Sequence, residues 1–252
     1  MGHDQHVRET ARWRGLLRYA RAALRFATSS AYRSALKLRW RRPKNLFQVN
    51  NHTRENRYPA LFRLARERLS DRPDLRLLSF GCATGEEVFA LRKYFPSATI
   101  KGIDINPHNI LVCKQRLAEQ PDPKIQFELA DSVGREPVAA YDAIFCMAVF
   151  RHGDLIDARF TRCDRVIRFE SFCKMAEAIA RRLKPGGLLL IIHANFRFRD
   201  TPTAEEFEVA YRMNWPAGAP VTPVFDRENR RTDEINYDEV VFRKRCARTG
   251  GA

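Results

Sequence analysis

The chain has 252 residues, 44% of them hydrophobic and 30% charged, which suits one full domain with an attached segment, or two small domains. No run of 18 apolar residues is present, so a membrane-spanning helix is excluded, and the N-terminus lacks the apolar core of a secretory signal. The formal net charge of +15 is uneven: residues 1–45 hold 12 Arg/Lys against Asp4 and Glu9, so +10, whereas the other 207 residues hold 33 bases against 28 acids, so +5.

In chain order, the first element is a basic arm, residues 1–45. Trp13, Leu16, Leu17, Ala20, Leu24 and Ala27 recur at helical spacing, beside an arginine stripe of Arg14, Arg18, Arg21 and Arg25. Such an amphipathic helix either packs its apolar face on the domain or meets an anionic membrane surface or nucleic acid, and an Arg-rich transit peptide has the same composition. Residues 50–59 are polar and turn-prone, and Leu61, Phe62, Leu64, Ala65 and Leu69 then mark a helix that closes before Pro73.

From residue 75 strands and helices alternate. Strands are expected at Leu75–Phe80, Thr99–Ile105, Ile125–Leu129, Tyr141–Val149 and Gly187–His193. Helices are expected at Glu86–Tyr94, Pro107–Glu119 and Phe169–Leu183, with further strands at Phe207–Met213 and Asp238–Arg243. Short apolar strands separated by helices predict an α/β fold, a doubly wound, mostly parallel sheet with helices on both faces. Residues 46–252 form that domain. The six cysteines include no CxxC pair, so neither a metal site nor a disulfide framework is expected, and a reducing cytoplasm is the default location, with the arm allowing peripheral membrane attachment.

In an open α/β sheet the ligand crevice lies at the carboxyl ends of the strands. There the first strand runs into Phe80-Gly81-Cys82-Ala83-Thr84-Gly85-Glu86-Glu87, where two glycines let the backbone turn and approach a ligand closely. The spacing is neither G-x-G-x-x-G nor a P-loop. Asp104, 19 residues after Gly85 and followed by Ile105, is placed to accept two bonds from a ribose diol. Asp131, followed by Ser132, is placed to accept one from an adenine amino group. Either aspartate alone also reads as a helix cap, but ligand-type residues at three successive strand ends are harder to explain as caps.

These motifs, with Leu183-Lys184-Pro185-Gly186-Gly187 before the fifth strand and Asp238–Arg243 as an antiparallel last strand, resemble class I S-adenosylmethionine-dependent methyltransferases from about Leu75 to the C-terminus. Thr84-Gly85-Glu86-Glu87, Thr53-Arg54-Glu55 with Tyr58-Pro59, Asp142–Cys146 and His193–Phe196 are most similar to the chemotaxis-type (CheR-like) protein-glutamate O-methyltransferases. The resemblance implies S-adenosyl-L-methionine as cofactor, held by Gly81, Cys82, Ala83, Gly85, Glu86, Asp104, Ile105, Asp131, Ser132 and Cys146. It also implies Glu86 on the methionine amino group, Asp104 on the ribose and Arg54 near the cofactor and the reacting carboxylate. Met147-Ala148 replaces the Arg-Asn pair usual in that branch, and the basic arm replaces its helical domain.

A carboxylate acceptor is ionised at pH 7 and needs no general base. His152 and His193, after the fourth-strand and fifth-strand segments, are the candidate groups beside the acceptor, with His152 taken as catalytic alongside Arg54. The segment 151–168 carries Arg151, Arg159, Arg162, Arg165 and Arg168, and such a loop suits an anionic substrate if the arginines line it. The expected activity is therefore methylation of an acidic small molecule or protein carboxylate. The alternatives are a nucleic-acid methyltransferase gripping phosphates through residues 1–45 and a non-catalytic cofactor-binding module.

Overall fold

A computed structural model describes residues 20–21, 23–49 and 53–246. The Trp13–Leu17 part of the proposed arm face lies outside the described residues. Five parallel strands form the frame: β1 (Arg76–Phe80), β2 (Thr99–Asp104), β3 (Ile125–Leu129), β4 (Tyr141–Met147) and β5 (Leu183–Ile192). Two strands follow in antiparallel pairing, β6 (Phe207–Arg212) and β9 (Glu239–Lys244), so that the seven-stranded sheet has the order β3-β2-β1-β4-β5-β9-β6. The order reverses between β1 and β4, and this is where an open sheet of this kind opens a crevice.

Both faces of the central strands are covered, so β1, β4 and β5 are largely apolar and their side chains alternate between two cores. Leu78, Ile144, Cys146, Leu189 and Ile191 join one core, and Leu77, Ala143, Phe145, Leu188 and Leu190 the other. The first core is closed by α5 (Phe169–Arg182), whose Phe169, Phe172, Met175, Ala176, Ile179 and Ala180 are buried at helical spacing. The second is closed in part by α2 (Pro59–Leu69), through Leu61, Phe62 and Ala65, and by α3 (Glu86–Tyr94). Pro59 occupies the first turn of α2, where its missing N–H costs nothing. Asn106 caps α4 (Pro107–Glu119) by accepting from the His108 N–H at 3.0 Å.

The fold agrees with the doubly wound expectation, with two additions. First, the described end of the 1–45 segment, residues 30–41, packs on the domain, one of the two arrangements expected of it. Helix α1 (Ser30–Arg41) docks on α4: the Ser34 hydroxyl donates to Asn106 Oδ1 at 2.6 Å, and Leu38 is buried. Second, a hairpin of β7 (Pro223–Phe225) and β8 (Arg231–Ile235) forms a small separate sheet. It holds the 151–168 segment in place, because Arg231 donates to the carbonyls of Leu155 and Asp157, both at 3.0 Å.

Candidate active site

The carboxyl ends of β1 and β4 frame a cavity of about 470 Å³, within the usual range for small-molecule sites. After β1 the backbone turns at Gly81 with φ +74°, and a Cβ there would stand 2.6 Å from Val149 Cγ2. Only glycine meets both demands. Gly85, φ +90°, caps α3 and sets the direction of its first turn. Left-handed non-glycine residues recur at the same edge of the sheet, Ala83 after β1, Ala148 after β4 and His193 after β5. Each carries strain of about 1–3 kcal/mol, and such residues cluster at sites that bind or react.

The acids lie toward the β2 and β3 side. Asp104 is buried and lines the cavity. Its oxygens accept from the Ala83 N–H (2.9 Å), the Asn106 N–H (2.8 Å) and Asn109 Nδ2 (3.0 Å). Burial raises its carboxyl to about 6 while those three donors pull the other way, so it is mostly ionised at pH 7. Asp104 thus ties the glycine loop to α4 as well as facing the ligand space. Asp131 also lines the cavity and is exposed, and Asn45 Nδ2 donates to it at 3.4 Å. Leu38, Asn45 and Phe47 bring the end of the arm to the same wall.

Of the expected cofactor residues, Gly81, Cys82, Ala83, Asp104, Ile105 and Asp131 line the cavity, as does Arg54. Gly85 acts one step removed, through the helix cap. Ser132 is not in the lining. Cys146 is fully buried in the sheet core, and burial raises its thiol well above the usual range, so its side chain belongs to packing. Glu86 turns away: it accepts from the Thr84 hydroxyl at 2.8 Å and pairs with Arg116 at 3.1 Å. The next residue, Glu87, lines the cavity instead, accepting from the Ser79 hydroxyl at 2.7 Å. Burial raises the Glu87 carboxyl to about 7.

On the β4 side the cavity is mainly basic, with Asp154 as the one acid of the loop after β4 in its lining. Arg54, Arg57, Tyr58 and Arg151 line it. The other arginines of segment 151–168 do not: Arg159 pairs with Asp157 (2.7 Å), Arg162 with Asp164 (2.9 Å), Arg168 donates to the Asp164 carbonyl (3.2 Å), and Arg165 is exposed outside the lining. The expected arginine-lined lid therefore reduces to Arg151. His152 is also outside the lining: it caps a 3-10 turn (Gly153–Ile156), its Nδ1 accepting from the Asp154 N–H at 3.4 Å, and burial lowers its pKa. His193 bonds the Thr222 hydroxyl at 3.0 Å and packs between Tyr58 and Trp215. Burial, then Arg151 and Arg57, pull it to about 4, so it is neutral at pH 7. Among the described residues, no group of three His, Cys, Asp or Glu is placed to hold a metal ion, and no helix is long and apolar enough to cross a membrane.

The chain is similar to solved structures only in part. Geranyl diphosphate C-methyltransferase from Streptomyces coelicolor A3(2) shares 15% identity with a TM-score of 0.40, over 53% of this chain and 44% of that one. Phosphoethanolamine N-methyltransferase 2 of Haemonchus contortus shares 17% with a TM-score of 0.42, over 66% and 34%. Among curated proteins, the malonyl-[acyl-carrier protein] O-methyltransferase of Halalkalibacterium halodurans is 29% identical over 153 residues, 58% of this chain. The match spans about half, 49%, of that relative's length. The curated match lends no support to the chemotaxis-type branch. A family profile described as "Methyltransferase domain" matches residues 71–232, from the turn before β1 to the start of β8, and the chain belongs to this methyltransferase family.

Proposed function

We propose that the protein methylates a carboxylate oxygen of an organic acid, using S-adenosylmethionine. The observation that carries this reading is a pair of guanidinium groups, Arg57 and Arg151, in one wall of the cavity, where the loop after β4 adds a single exposed acid, Asp154. Asp104 and Asp131 stand at the ends of β2 and β3, while Arg57 and Arg151 stand toward β4, on the other side of the glycine turn. The glycine turn fits such a cofactor, because Gly81, turned at positive φ and packed against Val149, lines the cavity together with Cys82 and Ala83. In this reading Asp104 accepts from the ribose hydroxyls, Asp131 from the adenine amino group, and Glu87, not Glu86, pairs with the methionine ammonium. Arg54 faces the junction between cofactor and acceptor.

The bound cofactor supplies an activated methyl on a sulfonium. The protein's task is then alignment, a proximity effect worth up to about 7–11 kcal/mol. The acceptor oxygen attacks as the carboxylate already present at pH 7, and neutral His193 is not required to take a proton. The curated relative is named for O-methylation of malonyl-[acyl-carrier protein], and a malonyl group ends in a free carboxylate; this supports the acid as acceptor class.

The test uses methyl-labelled cofactor and a panel of organic acids with their amides. A carboxylate methyl ester releases its label as volatile methanol in mild alkali. Label that resists alkali, or that appears on amides as readily as on acids, would overturn the reading. A second expectation concerns Asp104. Asp104→Ala removes a ribose acceptor and three loop bonds. Calorimetry with S-adenosylhomocysteine is expected to show binding weakened about tenfold or more, the scale of hydrogen bonds to a charged group.

A further inference from the structure

Tyr58 precedes α2 and brings a phenol into the cavity, yet its hydroxyl oxygen is buried with no hydrogen-bond partner. An unpaired buried polar group costs about 1–3 kcal/mol and calls for a reason. The ring is fixed from two sides, by His193 with ring centroids 6.0 Å apart and by the Arg57 guanidinium 5.2 Å from its centroid. The hydroxyl therefore has little freedom to find another partner.

Arg151 reaches the same cavity from the loop after β4. Its Nη2 donates to the Val221 carbonyl at 3.3 Å, which anchors one edge of the guanidinium. It is half-buried, and Arg57 is near enough to repel it, so burial and then Arg57 both lower its pKa. Arg57 and Arg151 make this wall positive, with the exposed Asp154 on the same loop as Arg151, and an anion is favoured beside them. Glu87 stands within reach of Arg57 but is itself assigned above to the cofactor.

We propose that the Tyr58 hydroxyl and the Arg151 guanidinium together seat the acceptor's carboxylate, which makes them the residues that select an acid over a neutral analogue; this rests on the carboxylate reading given above. Burial holds the phenol's pKa up at about 12, so it remains a donor at any physiological pH. The hydroxyl donates to one carboxylate oxygen and the guanidinium pairs with the group's charge. Lone pairs of the other oxygen face the methyl donor. An amide of the same shape leaves Arg151 without its counter-charge and offers the site surplus N–H donors, so it is disfavoured on both counts. Phe62, Met147 and Val49 on the remaining walls suit an acid with an apolar body.

The test is calorimetry on the full chain saturated with S-adenosylhomocysteine, titrated with octanoate, malonate and, as neutral control, octanamide. The wild type is expected to bind an acid and not the amide. Tyr58→Phe should weaken acid binding about tenfold and Arg151→Gln by roughly 30-fold, the scale for a neutral and a charged partner. Affinity for S-adenosylhomocysteine should stay within about twofold in both, and the melting temperature of Tyr58→Phe without an acceptor should rise, because the unpaired buried hydroxyl is gone. If the wild type binds acids and both variants match it, the seat lies elsewhere while the carboxylate reading stands. If either variant loses cofactor affinity in step with acid affinity, the pair belongs to the cofactor end and the seat is overturned. If the wild type binds the amide as well as the acids, or neither, the carboxylate reading and the seat fall together.

Discussion

Glu87→Gln is expected to weaken S-adenosylhomocysteine binding by about 2–3 kcal/mol, roughly 30- to 150-fold, the scale of a charge-assisted bond in a buried site. Glutamine keeps the shape and the bond from Ser79 but cannot neutralise an ammonium group. The pH dependence separates this from a packing effect. Burial raises the Glu87 carboxyl to about 7, with the Ser79 hydroxyl and then Arg57 opposing it. An ammonium needs the ionised form, so wild-type affinity should rise about tenfold per pH unit between pH 5 and 7 and then level off. Above about pH 8 the ligand's own α-amino group loses its proton and affinity should fall again. Glu87→Gln should remove the rise between about pH 6 and 7 and keep the falling limb, while protonation of Asp104, whose carboxyl burial raises to about 6, still weakens binding below that. For folding the sign is opposite: the native state holds the Glu87 proton more tightly than the unfolded chain. The stability it contributes is therefore present below about pH 4.5 and lost as the pH rises from there through 7. A rising limb unchanged in Glu87→Gln would show that another group receives the ammonium.

The sheet was legible because its signal is periodic. Five apolar runs alternating with amphipathic helices leave few arrangements, and the glycine turn, Asp104 and Asp131 follow at the strand ends. What escaped the pattern depends on direction or on polar contact. Glu86 and Glu87 are neighbours in the first turn of α3, about 100° apart around the axis, and the cap at Gly85 decides which one faces β1. No hydrophobic count distinguishes them. The docking of α1 rests on a polar bond between Ser34 and Asn106, which apolar spacing does not register. The β7–β8 hairpin buries Pro223–Phe225 but leaves β8 half-exposed with a polar sequence, so it reads as loop. The arginine-rich segment did carry its own correction: Asp157 and Arg159, like Arg162 and Asp164, lie two residues apart and neutralise each other locally.

Asp142→Ala is expected to cost about 3–5 kcal/mol of folding stability, the largest effect of any single change considered, because it removes the buried carboxylate that three donors share. Asp142 enters β4 one residue after Tyr141 and is 5% exposed. Oδ1 accepts from Arg72 Nη2 at 2.7 Å, and Oδ2 accepts from the Arg76 N–H at 2.9 Å and Lys184 Nζ at 2.8 Å. Those donors come from the turn before β1, the first residue of β1 and the start of β5. One carboxylate thus joins three parallel strands at their amino ends, opposite the cavity. The same place explains the Lys184-Pro185-Gly186-Gly187 stretch: a Cβ on Gly187 would stand 3.1 Å from the Asp142 carbonyl and 2.9 Å from that of Lys184, so the close approach of β5 to β4 needs glycine. Arg72 and Lys184 are partly exposed and recover hydration when the partner is lost, which places the expected cost nearer the lower figure. Asp142→Asn keeps an acceptor for the Arg76 N–H and gives up only the charge, so it should cost about 1–2 kcal/mol. Urea unfolding at pH 7 measures both. A loss below about 1 kcal/mol in Asp142→Ala would mean that the attraction at this site does no more than offset the burial of the charge.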